Sequence, residues 1–210
     1  QAERAEKKRL EDERQAALAK ARAEALKRPL STMPPYGKLS LVDEIICAKE
    51  EEAHQFSESP AGASSKATLL GQPCRVMPTV AKRGSYISYR IGRQKLLRPG
   101  GVYVLAVEYP EDAPRSMTII NGGNETSRGF HTGLSLGDAM HAKYVNGLVE
   151  SLNVPLSGKW ENWTLLFRLH DRFPQKGLPR GAAVRPLTPE DGFEVTLCQF
   201  PTRNQPLSKG

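Results

Sequence analysis

The chain has 210 residues, 39% of them hydrophobic and 25% charged, with a formal net charge of +7. That is material for one sizeable core and not two. No run approaches the roughly 18 consecutive apolar residues of a membrane span, so a membrane partner is not expected.

The positive charge divides before it says anything about partners. Residues 1–28 carry nine Lys/Arg against six Asp/Glu, and the other 182 residues carry 21 against 17. The body is only mildly basic, and its basic residues are scattered among acids rather than clustered with aromatics. A nucleic-acid footprint needs that clustering, so no nucleic-acid partner is expected.

The opening stretch, QAERAEKKRLEDERQAALAKARAEALKR, is built from strong helix formers and stops at Pro29. Its start has no apolar core of about 7–15 residues of the kind a signal peptide carries, and a chain opening at Gln reads as a processed or excised segment. Leu10, Ala17, Leu18, Ala21, Ala25 and Leu26 form a narrow stripe, which suits a solvated helix or linker better than a core-facing one. Residues 31–84 read as an approach segment, broken by Pro34-Pro35, Gly37 and the SPAGASS loop, with LSLVDEIIC as a short strand.

From residue 85 the period changes. SYISYRIG alternates Tyr86, Ser88 and Arg90 against Ile87, Tyr89 and Ile91, the pattern of a half-buried strand. Further strands are expected at 102–109, in RSMTIING, in WTLLFRL at 163–169 and in GFEVTLCQF at 192–200. LSLGDAMHAKYVNGLVESL is expected to form a short helix at the sandwich edge. Strands parted by turn clusters, without regular intervening helices, predict an all-β antiparallel sandwich preceded by the N-terminal helix. The expected division is 1–30 as charged helix, 31–84 as approach and 85–210 as sandwich, one domain with its core at about 39–200.

LLRPGGVYVLAVEYPEDAPRSMTII, with RGFHTG, GDAMHAKYVN, PLSGKW, LFRLHDRFP and PLTPEDGFEV, resembles an N-terminal segment of large secreted bacterial proteins related to glycoside hydrolases. The resemblance implies a galactose-binding-like jelly roll, an accessory module attached to a larger parent chain, and a secreted or periplasmic location. It carries no defined sugar-binding motif onto this sequence.

The residues themselves offer several candidate sites. NGGNETSRGFHTG sets Asn121, Asn124, Glu125, Arg128 and His131 among glycines that permit close backbone approach. These are planar donors and acceptors suited to vicinal hydroxyls, and Tyr144 and Trp160 are the aromatic platforms a sugar ring would need. The expected partners are therefore a polysaccharide or oligosaccharide and the rest of the parent chain; the alternatives are a glycoside hydrolase using acidic residues at the sandwich edge, or a structural spacer without a ligand. YPEDAPR and TPEDGFE share Pro-Glu-Asp; they read as turns, or as oxygen ligands for a structural Ca²⁺ from Glu111, Asp112, Glu190 and Asp191. Glu108, Glu125 and Glu161 are the acids that a glycoside hydrolase would have to pair, but nothing singles them out, and no catalytic residue is assigned. His131, Asp138 and His141 match no compact metal spacing. Cys47 and Cys74 fall where a disulfide would help the irregular approach segment, whereas Cys198 reads as a small buried hydrophobe.

Overall fold

The computed structural model describes residues 2–25, 27–49, 54–77, 84–132, 149–152, 155–175 and 185–199. Among them the chain is an all-β sandwich preceded by one helix. Helix α1 (Ala2–Ala25) is exposed along nearly its whole length. Side-chain pairs one turn apart, Arg9–Glu13 at 3.6 Å and Gln15–Glu11 at 3.0 Å, brace it, each by a few tenths of a kcal/mol.

Twelve strands follow: β1 (Leu30–Met33), β2 (Gly37–Ser40), β3 (Phe56–Ser59), β4 (Ser65–Leu69), β5 (Gln72–Val76), β6 (Ser85–Ile91), β7 (Val102–Pro110), β8 (Arg115–Asn121), β9 (Thr126–Thr132), β10 (Val149–Leu152), β11 (Trp160–Arg168) and β12 (Phe193–Gln199). One layer is a six-stranded sheet in the order β10-β9-β8-β12-β6-β3. The other is the long antiparallel pair β7–β11; β1–β2 and β4–β5 are separate hairpins. Among the described residues all pairings are antiparallel except β10 on β9. The β4–β5 hairpin turns through Leu70 and Gly71, both at positive φ (46° and 77°), the geometry that matches strand twist in a two-residue turn.

The core lies between the two layers. Ile119 and Phe130 of the large sheet are fully buried, and Trp163 and Phe167 of β11 face them. Phe130 stacks on Tyr109 with ring centroids 4.2 Å apart, and Phe167 meets Phe193 edge-on at 5.8 Å. Trp163 enters this core, as its place in an alternating strand predicts.

Three local expectations are corrected. LSLVDEIIC is strand only through Leu39 and Ser40, at the end of β2. The expected helix before residue 153 lies outside the described residues up to 148, and its last four residues are strand β10. The large sheet begins before residue 85, since β3 of the approach segment pairs with β6 from Phe56↔Tyr89 to Ser59↔Tyr86, while β1–β2 and β4–β5 stay separate hairpins.

The fourth correction concerns the glycine-rich stretch. Only residues 122–125 form the turn; Thr126–Thr132 is strand β9, paired with β8 over its whole length. Gly129 is there because the strands press together. A Cβ built on it would lie 2.0 Å from the Met117 carbonyl oxygen. Gly129→Ala should therefore pry β8 from β9 and cost about 1–3 kcal/mol, as overpacking does, read as a lower urea midpoint with an unchanged slope.

Candidate functional site

The strand register decides which candidate residues meet. β11 begins at Trp160, opposite Pro110, and ends at Arg168, opposite Val102. Its Trp160 end therefore adjoins the 111–114 turn. At the other end His170 N–H donates to the Gly123 carbonyl (2.8 Å), which fixes the glycine-rich turn beside Arg168. Eight residues of strand, roughly 27 Å, separate Trp160 from that turn. This geometry separates Trp160 from Asn121, Asn124 and Glu125. β9 runs back from the turn, with Arg128 opposite Ile119 in mid-strand and the backbone of His131 toward the Arg115 end, the end at which β11 begins.

The turn residues are largely committed to the fold. Asn121 is fully buried, its Oδ1 accepting the Gly123 N–H at 2.9 Å, the short-range bond that makes Asn a turn former. Asn124 Oδ1 accepts the Thr126 hydroxyl at 2.7 Å. Glu125 is exposed at φ 57° and Arg128 is exposed on β9. The backbone of His131 stands opposite Ser116, and Tyr144 lies outside the described residues.

The two Pro-Glu-Asp segments sit at opposite ends of the sandwich, and each is a turn. Glu111 is fully buried, Oε2 accepting the Ser157 N–H (2.9 Å), while its backbone bonds Lys159 O and Gly158 N. Asp112 pairs with the buried Arg115, which also donates to the Pro110 carbonyl. Asp191 accepts from the Thr188 N–H and hydroxyl, both at 2.9 Å, and from Arg185. Glu190 contributes its carbonyl to Gln94 N–H and is otherwise exposed. Among the described residues no three carboxylate, His or Cys groups gather as a metal site, so the expected Ca²⁺ ligands do not form one cluster.

The Asp191 turn has a pH signature. The Thr188 N–H, against some desolvation, and then the Thr188 hydroxyl and Arg185 hold its carboxyl below the ordinary value of 3.8. A depressed folded-state value gives stability that is present above the unfolded pKa and lost as pH falls through the folded one. Asp191→Ala should therefore lower the thermal midpoint at neutral pH and flatten its decline below about pH 4, measured by calorimetry across pH.

Cys47 and Cys74 are free thiols, not a bridge. Burial raises the pKa of both, which makes them poor nucleophiles. Cys198 is buried on β12, as expected. A polar anchor the sequence did not suggest is Asp43, which accepts the Gly92 N–H at 2.7 Å and lies 3.3 Å from His54 Nε2 and 3.6 Å from Lys95 Nζ. It ties the 41–49 segment to the end of β6.

What the fold does bring together lies on the outer face of β7–β11. With Trp163 and Phe167 turned inward, alternation sends Trp160, Asn162, Thr164, Leu166 and Arg168 outward. Trp160 is half-buried, its indole N–H donated to the Leu69 carbonyl at 3.1 Å, which fixes the ring at the head of the strand. Two residues on, Asn162 stands directly opposite Glu108, both exposed. Two further, Thr164 Oγ1 shares a 2.9 Å hydrogen bond with Tyr36 OH, from the β1–β2 turn. An indole, a carboxylate–amide pair and a phenol thus follow one another along a single face. The first and last are about 14 Å apart along the strand. The other two acids that a hydrolase would have to pair with Glu108 do not share it: Glu161 is on the opposite face of β11, and Glu125 is at the far end.

No protein-family model, no curated protein and no solved structure matches this chain. Among the described residues no helix is long and apolar enough to cross a membrane.

Proposed function

We propose that this chain is a non-catalytic, glycan-binding accessory β-sandwich, of galactose-binding-like jelly-roll type, belonging to a larger polysaccharide-processing protein that works outside the bacterial cytoplasm. The observation that carries the reading is the row Trp160, Glu108–Asn162, Tyr36 on the outer face of β7–β11. A pyranose has an apolar C–H face and an edge of hydroxyls. An aromatic ring covers the first, with its contact area at low conformational cost. A planar carboxylate beside a planar amide meets the second, since together they accept from one hydroxyl and donate to its neighbour.

Glu108 and Glu161 stand on opposite faces of β7–β11 and Glu125 at the other end of the sandwich. This favours binding over hydrolysis, because glycoside cleavage needs two carboxyl groups facing one sugar about 5–10 Å apart. Incubation with a panel of soluble neutral polysaccharides should give retention of the protein without release of reducing ends. Released sugar would replace this reading with a hydrolase, and neither retention nor release would leave a structural spacer.

A further inference from the structure

We infer that the β7–β11 face takes the interior of a linear, uncharged glycan chain, laid along β11, rather than a chain end. This rests on the glycan-binding reading of the same face. Recognition of a terminal sugar needs a pocket that closes around it, whereas here the groups are set in line on a sheet surface. Beyond Tyr36 the row continues into Leu166, 53% exposed, its opposite number Val104, and Val102, 64% exposed at the strand's end. Leu166 and Val102 are open to solvent, and Val104 is half-buried between them. The apolar stretch extends the contact for C–H faces well past the Trp160–Tyr36 pair, to the full length of β11, roughly 27 Å. A ligand that uses all of it must be several sugars long, and must pass over the open end.

Charge selects the chain type. The carboxylate of Glu108 stands between Trp160 and Tyr36 in the row, and the only cation on the outer face of the strand pair is Arg168 at its far end, with Nε already donated to the Gly100 carbonyl at 3.1 Å. A uronate or sulfate over Glu108 would meet like charge at close range. Neutral hydroxyls would find an acceptor there.

The test is a titration of the whole chain, followed by Trp fluorescence, with cello-, manno- and xylo-oligosaccharides from dimer to octamer. Each is used with a free and with a borohydride-reduced end, beside polygalacturonate as the charged probe. Affinity for one neutral series should rise at least tenfold from dimer to hexamer, be unchanged by end reduction, and exceed that for polygalacturonate. Leu166→Asp, a surface change, should weaken the hexamer about tenfold and leave the dimer unaffected. A dimer bound as tightly as the hexamer, loss of binding on end reduction, preference for polygalacturonate, or insensitivity to Leu166→Asp would overturn the inference while leaving glycan binding intact. No binding of any oligosaccharide or polysaccharide would overturn the underlying reading as well.

Discussion

Trp160→Ala should reduce glycan affinity at least tenfold, a loss of about 1.4 kcal/mol or more, while the protein stays folded. The indole is the ring at the head of the row, and removing it takes away the largest apolar surface a sugar could cover. The fold should tolerate the change. Trp160 is half-buried rather than part of the core, and its side chain makes one hydrogen bond, to Leu69 O. Such a bond is worth about 1 kcal/mol net, which in a chain of this size moves the thermal midpoint by roughly 2–4 °C. Trp160→Phe separates the two roles, since it keeps an aromatic face and loses the N–H. It should retain most of the binding and show a similar small shift in midpoint. Equal binding by the wild type and Trp160→Ala would remove the platform from the account. The chain has two tryptophans, and Trp163 is 3% exposed, so a ligand-induced change in emission reports chiefly on Trp160.

Phe130→Ala should be among the most destabilising single changes in the sandwich, by about 3–5 kcal/mol. Phe130 is fully buried, stacks on Tyr109 at 4.2 Å and meets Trp163 at 6.4 Å. It joins β9 of the large sheet to both strands of the small one. Its loss opens a cavity where three aromatic rings converge, and stiff rings on separate strands cannot collapse into it easily. The thermal midpoint should fall by about 10 °C or more. A loss under about 1 kcal/mol would mean that the two layers are not held together at this point.

The fold was readable where strand-forming residues run between turn signals. SYISYRIG, VYVLAVEY and FEVTLCQF are each rich in β-branched and aromatic residues and bounded by turn signals, and each is a strand of the expected sandwich. Ser88 and Thr196 are buried too, however, so β6 and β12 are covered on both faces. TSRGFHT defeated the same reading, because Gly129 and the polar Thr, Ser and Arg look like a loop. The glycine there answers to the close approach of β8, a contact absent from any local window. β10 was missed for a related reason: it pairs in parallel with β9, and its partner is remote in sequence.

The candidate site was legible only in part. Trp160 was singled out, and its aromatic character before a strand is a local property. What the local sequence does not show is its company. Which residues flank it depends on the β7–β11 register, Trp160↔Pro110 and Asn162↔Glu108, and on which end of β8 the glycine-rich turn occupies. Glu108, at the end of VYVLAVE, has Arg115 and Arg168 as the basic residues nearest to hand in the expected strands. Instead Arg115 is engaged by Asp112 and Pro110, and Arg168 by Gly100. Tyr36 had no local signal, since its place on Thr164 is a contact between residues 128 positions apart. The Pro-Glu-Asp turns are legible in the sequence, because Asp191 bonding Thr188 three residues back is chemistry within one short window.

The central claim is that the ligand face is the outer side of β7–β11, and amide and indole NMR shifts during titration with a retained polysaccharide test it most directly. The account predicts perturbation of the Trp160 indole N–H, the Asn162 side-chain amide and the backbone amides of residues 104–108 and 160–166, with residues 122–128 unmoved. Perturbation confined to residues 122–128, with the Trp160 indole unchanged, would contradict it and return the site to the glycine-rich turn.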